Sequence, residues 1–437
     1  MKTALDNFFD LTGLKTNVKR EILAGFTTFI SMAYILFVNP EILGASGMDK
    51  GAVFTATALA SAIGCLLMGL LAKYPIATAP SLGINAFFAY SVCIGMNIPW
   101  QTTLAGVFVA SIIFLLITVF KLRELIIDAI PADLKAAISA GIGLFIAFIG
   151  LQGGGLIVAN KSTLVGLGSF SGSTWVTVFG LIVVSILMVM RVPGAIFIGM
   201  VLSAIFGIAT GNIQMPHAFV APAPSMDQTF LVALSHLKDI NTLQMWVVVI
   251  TFLLVTFFDT AGTLIALAQQ AGFLQNNKMP RVGKALMSDS TAMLFGSLFG
   301  TSPVGAYVES SAGIAVGGRS GLTAVTTGIC FILGLFFSPL LTVATSQVTA
   351  PALIIVGVLM AQSMARITWT KLEIAIPAFL TVAGMPLTYS ISDGLALGFI
   401  AYPITMIAAR KGKEVPALMY VLFFVFVIFF WVLNIEK

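Results

Sequence analysis

The chain has 437 residues, of which 59% are hydrophobic and 9% charged, and its mean hydropathy is +1.05. Soluble domains carry roughly 45–50% apolar and about 25% charged residues, so this composition excludes an ordinary globular enzyme or nucleic-acid binder. A membrane-embedded chain can have it, because lipid solvates apolar side chains and requires only that the backbone satisfy its own hydrogen bonds. The net charge of +5 therefore describes the loops between membrane spans and does not indicate affinity for nucleic acid.

The cysteines and the N-terminal residues predict no disulfide, no metal site and no cleavable signal peptide. Cys65, Cys93 and Cys330 lie far apart in apolar segments, which gives neither a disulfide framework nor the spacing of metal ligands. We therefore expect no metal site. The first twenty residues are polar, so we expect the first span, and not a cleavable signal peptide, to target the chain to the membrane.

Apolar windows of about the 20 residues that a membrane-spanning helix needs recur along the chain. Two of them, 80–95 and 303–318, are short and interrupted by Gly and Pro. A further apolar stretch, 416–433, follows the last window, and the sequence leaves open whether it is an additional span. In chain order, the fourteen predicted spans are 22–40, 52–71, 80–95, 103–120, 136–156, 175–190, 193–211, 245–268, 285–300, 303–318, 322–342, 351–365, 372–387 and 394–409.

The distribution of cations predicts the orientation. Eighteen of the twenty-two Lys and Arg residues fall in loops on the same side as the N-terminus. Because cytoplasmic loops are enriched in Lys and Arg, we expect the N-terminus inside. The long joint 212–244, which holds His217 and His236, then lies outside, so a histidine proton relay is not indicated.

An internal repeat relates the two halves of the chain. Residues 78–83 (TAPSLG) are echoed by 301–305 (TSPVG), an offset of 223 residues, and the same offset carries the start of the first span onto that of the eighth. Two halves of seven spans each have opposite topology in the membrane, because an odd number of spans reverses the chain direction. Inverted repeats with broken helices at matching places are typical of secondary transporters, whose substrate site lies between the breaks.

Asp259 lies deep within the eighth predicted span. An acid in the hydrocarbon costs about 2.5 to 3.5 kcal/mol on insertion scales, which makes it a functional candidate. Thr256 and Thr263 stand three and four residues away and so share its helical face, and Thr260 follows it directly. The alternative is a structural carboxylate that is hydrogen-bonded to a neighbouring helix.

Glu309 lies in the tenth predicted span, at the expected start of a half-helix. Free backbone N–H groups and the positive end of the helix dipole would there accompany the carboxylate. The matching segment of the first half, 83–90 (GINAFFAY), supplies Asn85, which can both donate and accept hydrogen bonds, and the rings of Phe87, Phe88 and Tyr90. Aromatic residues in membrane helices are more often packing than ligand contacts.

The combination of carboxylates, an amide, backbone donors and rings suits a planar heteroaromatic base. Ring and exocyclic N–H groups can bond to a carboxylate, a carbonyl can accept from backbone N–H groups, and the ring faces can stack. Inorganic anions fit less well, because nearby carboxylates would repel them. A desolvated carboxylate can also carry a proton, while no phosphate-binding loop for ATP is present.

Several motifs resemble those of the AzgA-like guanine/hypoxanthine permeases, in the nucleobase–ascorbate (xanthine/uracil permease) superfamily, over nearly the whole chain. The resemblance implies proton-coupled import of purine bases, often by a homodimer. One position differs: some members have a second acid three residues before the eighth-span Asp, where this chain has Thr256. The motifs are 24–29 (AGFTTF), 37–40 (FVNP), 83–88 (GINAFF), 258–263 (FDTAGT), 307–313 (YVESSAG) and 316–324 (VGGRSGLTA).

The resemblance implies an all-α polytopic fold with fourteen segments in a seven-plus-seven inverted repeat and two broken half-helices. Spans one to four and eight to eleven would form a core domain, in residues 1–125 and 241–345. Spans five to seven and twelve to fourteen would form a gate domain, in residues 126–240 and 346–437, the last including the C-terminal apolar segment.

The family's functional positions carry over to Asn85, Asp259 and Glu309. We expect proton coupling through Asp259 and Glu309, with the proton as coupling ion and no cofactor. The predicted substrate-binding residues are Gly83, Asn85, Phe87, Asp259, Gly305, Tyr307 and Glu309.

The sequence thus predicts a proton-coupled purine base transporter of a bacterial-type cytoplasmic membrane, with no enzymatic activity. Its partners would be purine bases and the lipid bilayer, with no nucleic acid. The alternative is an anion transporter or channel on the same architecture. Which purine is preferred is left open.

Overall fold

The computed structural model describes residues 4–120, 130–273 and 279–435, without the side chains of residues 258, 261, 429 and 432–435. The predicted domain boundary between residues 125 and 126 lies outside the described residues, as do five of the counted cations, namely Lys2, Lys121, Arg123, Lys278 and Lys437.

Most of the described chain is helical, which confirms the prediction of a helical polytopic fold. Each predicted span overlaps at least one helix. The helices are α1 Ala4–Phe9, α2 Val18–Met32, α3 Ile35–Gly44, α4 Lys50–Leu67, α5 Leu82–Ala86, α6 Trp100–Val119, α7 Ala132–Gly153, α8 Gly172–Val189, α9 Ala195–Ala209, α10 Val232–Ser235, α11 Leu243–Gln270, α12 Val282–Phe299, α13 Ser310–Ala315, α14 Gly321–Gly334, α15 Ser346–Ala361, α16 Leu372–Thr388, α17 Ile391–Ala408 and α18 Ala417–Ile435.

Several α-helices continue as π-helical or 3₁₀-helical turns. π-helical turns at Met68–Ala72 and Phe87–Gly95 extend α4 and α5, and 3₁₀ turns at Leu335–Val343 and Gln362–Arg366 extend α14 and α15. Two further 3₁₀ turns, Leu237–Ile240 and Gly412–Glu414, lie in joints.

In the described ranges, nine helical segments are long and apolar enough to cross a membrane, and four shorter apolar helices accompany them. The number of fourteen spans stays a prediction. The stretch 416–433 is helical, as α18, and is one of the shorter four.

The first predicted span is not one continuous helix. α2 ends at Met32 and α3 begins at Ile35, with Ala33 and Tyr34 between them. This break carries no Gly or Pro, the residues that most often interrupt a membrane helix, so no residue type at this point predicts it.

Two small sheets interrupt the helical pattern. β2 (Ile157–Asn160) and β3 (Leu164–Leu167) form a hairpin in the joint between the fifth and sixth spans. β1 (Thr78–Pro80) and β4 (Val304–Ala306) pair with each other although 223 or more residues separate them. They lie at the start of the two short, broken spans.

Polar side chains set the start of several helices. Asn17, Asp49 and Thr242 accept hydrogen bonds from backbone N–H groups in the first turns of α2, α4 and α11, and Ser390 does so for α17. Each satisfies a donor that has no partner within its own helix.

The helices pack as two groups. One group contains α2 to α6 with α11 to α14, and the other contains α7 to α9 with α15 to α17. Small residues allow close packing, as where Gly143 of α7 and Gly357 of α15 face each other's backbone; a Cβ at either position would lie under 3.0 Å from the opposite carbonyl oxygen. α18 contacts one helix of each group, α11 and α17.

Candidate functional site

The two broken spans meet at the pair of strands β1 and β4. We call this strand pair, residues 78–80 and 304–306, the crossing. The strands are antiparallel, with Thr78 opposite Ala306 and Pro80 opposite Val304. Two hydrogen bonds extend the pairing, from Tyr307 N to Ala77 O at 2.9 Å and from Ser81 N to Pro303 O at 3.0 Å. Antiparallel pairing is the expected geometry for two segments of opposite topology. All six strand residues are buried.

Asp259 of α11 reaches this crossing and is partly accessible. Its Oδ2 accepts a hydrogen bond of 2.6 Å from the hydroxyl of Ser81, which directly precedes α5. Gly305 of β4 lies alongside. A Cβ on this glycine would be 3.9 Å from Asp259 Oδ2 and 3.2 Å from the Thr260 hydroxyl, so the strand backbone approaches the carboxylate closely.

Glu309 is the residue immediately before α13 and is also partly accessible. Its Oε1 accepts a hydrogen bond of 2.5 Å from the hydroxyl of Tyr34, in the break between α2 and α3. The predicted position of Glu309 at the start of a half-helix is therefore correct. Glu309 follows Gly305 of β4 by four residues in the sequence. Its carboxylate therefore lies near the same crossing as Asp259.

Asn85 of α5 is fully buried beside them. Its Oδ1 accepts a hydrogen bond from the hydroxyl of Ser302, which lies two residues before β4. Within the described part of the chain, its Nδ2 has no hydrogen-bond partner. Buried amide donors almost always have a partner, so this group is available to a ligand or to water.

A third acid lies next to this site. Asp289 of α12 is fully buried, and its Oδ2 accepts a hydrogen bond of 2.8 Å from the Thr260 hydroxyl. Thr256, one turn earlier on α11, is buried, and its hydroxyl has no hydrogen-bond partner among the described residues. Thr260, which follows Asp259 in the chain, thus connects this part of α11 to Asp289.

The other predicted site residues have different surroundings. Phe87 is fully buried and packs edge-on against Phe252 with centroids 4.8 Å apart, and Gly83 faces Ile142 of α7, 2.5 Å from the position of a Cβ. Tyr307 is buried, and its hydroxyl donates to Pro80 O at 2.7 Å. A ligand role for these three residues stays a prediction.

Sequence reasoning missed four residues of the site. Nothing in the sequence marked Tyr34, and Ser81 and Ser302 were noted only as parts of the repeated motif. Asp289 had a usable signal, since it is an acid within the predicted span 285–300.

The arrangement suits a small ligand rich in N–H groups. Two partly accessible carboxylates each keep one oxygen bonded to a protein hydroxyl, which leaves the other oxygen of each as an acceptor, and a buried amide supplies a donor. In the described ranges, no three His, Cys, Asp or Glu side chains come together as metal ligands.

Solved structures share this fold. The transmembrane domain of the cyanobacterial bicarbonate transporter BicA superposes with a TM-score of 0.61 at 16% identity, covering 90% of this chain and 97% of that one. Murine Solute Carrier 26 family member A9, an anion transporter in the inward-facing state, gives a TM-score of 0.61 at 11% identity, covering 94% and 72%. At these identities the likeness shows the fold alone, and it confirms the predicted inverted-repeat transporter architecture.

Several curated proteins share much higher sequence identity with this chain than these solved structures do. Guanine/hypoxanthine permease PbuG of Bacillus subtilis is 55% identical over 436 residues, 98% of this chain and 99% of that protein. Guanine/hypoxanthine permease PbuO of the same organism is 45% identical over 432 residues, 97% of this chain and all of that protein. Adenine permease AdeP of Escherichia coli is 40% identical over 433 residues, 97% of this chain and 96% of that protein.

A protein-family model also matches most of this chain. The Xan_ur_permease model, described as a permease family, matches residues 19–397. The chain belongs to this family of multi-pass membrane permeases, which confirms the prediction of a transporter and not an enzyme.

Proposed function

We propose that this chain imports purine bases, with hypoxanthine and guanine as the main substrates, across the cytoplasmic membrane by proton-coupled alternating access. The observation that carries the proposal is the pair of partly accessible carboxylates, Asp259 and Glu309, at the crossing of the two broken spans. The 55% identity to a guanine/hypoxanthine permease supports the substrate class.

Purine bases match the hydrogen-bonding groups at this crossing. Their ring and exocyclic N–H groups can donate to the carboxylate oxygens of Glu309 and Asp259, and their ring nitrogens and carbonyl oxygen can accept from Asn85 Nδ2. A partly accessible carboxylate within a membrane protein can also exchange a proton during the cycle, so Asp259 and Glu309 are our candidates for proton coupling.

The two helix groups correspond to the proposed core and gate domains. Both carboxylates and both broken spans belong to the first group, while α7 to α9 and α15 to α17 form the second. Movement of one group against the other would expose the crossing to each side in turn, with the N-terminus inside the cell. Because α5 contacts α7, the substrate site lies next to the boundary between the groups.

The anion-transport alternative finds no support at this site. The acidic residues Asp259 and Glu309 lie at the crossing, and Thr260 links a third, Asp289. Close carboxylates repel an inorganic anion. The solved anion transporters share only the fold with this chain.

Uptake of radiolabelled hypoxanthine tests the proposal in cells that lack their own purine permeases, with guanine, adenine, xanthine and uracil as competitors. We expect saturable uptake that guanine inhibits strongly and uracil weakly, and that a protonophore collapses. Absence of uptake of every base by a protein that is present in the membrane would contradict the proposal.

A further inference from the structure

We infer that the part of α11 that follows Asp259 lines an aqueous passage, at Gly262, between the crossing and the side of the membrane on which the N-terminus lies. The inference rests on the proposed function and deepens it by assigning the route that the base takes on this side. The observation behind it is a change in burial along one face of α11, which occurs at Asp259.

The face of α11 that carries Asp259 is closed in the part of the helix before this residue. Val248, Phe252 and Val255 precede Asp259 at intervals of three and four residues, the spacing that places side chains on one helical face. All three are buried. The ring of Phe252 packs against that of Phe87, which is also fully buried, with centroids 4.8 Å apart. This aromatic pair covers the face on the side of Asp259 toward the start of α11.

The same face is open after Asp259. Gly262, Ala266 and Gln270 follow it at the same spacing, and all three are exposed. No described atom lies within 4 Å of the position that a Cβ on Gly262 would take. Asp259 is therefore reached along the second half of the helix and not along the first.

The space beside this open half is filled with water and not with lipid. Asp259 and Glu309 are both partly accessible, and contact of a carboxylate with hydrocarbon is costly. Gln270 Nε2 donates to Ser311 O at 3.3 Å, so the segment that carries Glu309 lies beside the open half of α11. One water-filled opening along Gly262 thus serves both carboxylates.

Contacts near the end of α11 identify the side to which the passage opens. Lys73 Nζ donates to Phe8 O of α1 at 2.7 Å. The next residue, Tyr74, packs against Phe273 with ring centroids 5.4 Å apart, and Phe273 follows Gln270 by three residues. The open end of α11 therefore lies on the same side as the N-terminal helix α1.

Cysteine accessibility tests the passage, in a chain without the three native cysteines and with a membrane-impermeant thiol reagent. Val255→Cys is the matched control, on the same face before Asp259. We expect Gly262→Cys to react at least about tenfold faster than Val255→Cys, because a buried thiol reacts only when its surroundings open. Lys19→Cys, at an exposed position near the N-terminus, identifies the membrane vesicles whose N-terminal side faces the reagent. Gly262→Cys should react in those vesicles.

A larger side chain at position 262 tests whether the base uses this passage. We expect Gly262→Phe to lower the initial rate of hypoxanthine uptake at least about tenfold at normal membrane abundance, because the added ring fills space that the base must cross and so raises the barrier to transport. Gly283→Phe is the matched control. Gly283 is also an exposed helical glycine with no described atom within 4 Å of a Cβ, but it belongs to α12, so we expect wild-type uptake.

The outcomes separate this inference from the proposed function. Equal reaction rates of Gly262→Cys and Val255→Cys, or reaction of Gly262→Cys only from the side opposite Lys19→Cys, would overturn the inference and leave the proposed function standing. Wild-type uptake by Gly262→Phe would also overturn it, because the exposed face would then lie off the route of the base. Thiol reaction needs no transport, so the labelling results do not depend on which base is imported. Absence of base uptake by the wild type would overturn the proposed function and the route together.

Discussion

The hydroxyl of Ser81 donates a 2.6 Å hydrogen bond to Asp259, and the two residues come from opposite halves of the chain. The same relationship holds for Tyr34 and Glu309. Asp259 and Glu309, both in the second half, are therefore each oriented by a hydroxyl of the first half. The binding groups reach their working positions only when the two inverted halves are assembled.

Removing the negative charge of Glu309 tests the role assigned to this carboxylate. We expect Glu309→Gln to lower the efficiency of hypoxanthine uptake about 100-fold, because an amide has a single acceptor oxygen and two charge-assisted hydrogen bonds are weakened. The measurement is initial uptake rate normalised to membrane abundance. Full activity of Glu309→Gln at normal abundance would contradict the assignment.

Removing the Ser81 hydroxyl should weaken transport without removing the carboxylate. We expect Ser81→Ala to reduce uptake efficiency about tenfold, because Asp259 loses a donor that orients it. Ser111→Ala is the matched control, since Ser111 is also buried and, in the described hydrogen bonds, donates to Phe108 O within α6. Equal uptake by the two variants would show that the Ser81 hydroxyl has no functional role.

Glu41 and Ser346 join the two helix groups at the side that our orientation places outside. The Ser346 hydroxyl, at the start of α15, donates to Glu41 Oε1 at 2.7 Å, and Lys50 pairs with the same carboxylate. The three residues line a cavity of about 540 Å³. If outward opening separates the groups, a covalent link here must stop the cycle.

Cysteines at positions 41 and 346 test this contact, in a background without the three native cysteines. We expect oxidation to block uptake and reduction to restore it, while Glu41→Cys alone is insensitive to oxidation. Unimpaired uptake by a protein that is fully cross-linked would show that this contact does not open during transport.

Glu21 is a buried carboxylate with a structural role. It is fully buried at the start of α2, and it accepts hydrogen bonds from the backbone N–H groups of Arg319 and Ser320 and from the hydroxyls of Thr16, Ser320 and Thr323. It thereby ties α2 to the start of α14.

We expect Glu21→Gln to destabilise the purified protein, because an amide has fewer acceptor sites for these donors. A loss of about 2 kcal/mol is typical for hydrogen bonds to a buried charged group. Thermal unfolding in detergent measures it as a lower midpoint temperature, with Glu414→Gln as a control at a joint residue. An unchanged midpoint would show that the five donors are satisfied without the carboxylate.

The sequence predicted the parts of the fold that depend on hydropathy and on repetition. Apolar windows located the helices, because hydropathy is a local property of the chain. The repeated Thr-x-Pro motif marked the two segments that meet at the site, but it did not predict that they pair as strands. The acids Asp259 and Glu309 were found because a charge in an apolar span is costly.

The partners of those acids could not be predicted in the same way. Tyr34 is one aromatic residue among many in apolar segments, and its role follows from a helix break that no Gly or Pro marks. The contact of Gly83 with Ile142 depends on how the two helix groups pack, which the sequence of either segment alone does not specify. Asp289 could have been found by applying the cost of buried charge to every span.

Uptake by purified protein in liposomes tests the central claim most directly. Wild type, Asp259→Asn and Glu309→Gln would be reconstituted with an imposed inward proton gradient and supplied with labelled hypoxanthine. We predict that the wild type accumulates hypoxanthine above equilibrium while the gradient lasts, and that Glu309→Gln does not. Accumulation by Glu309→Gln equal to the wild type, or wild-type uptake that is indifferent to the gradient, would contradict proton-coupled purine transport through this site.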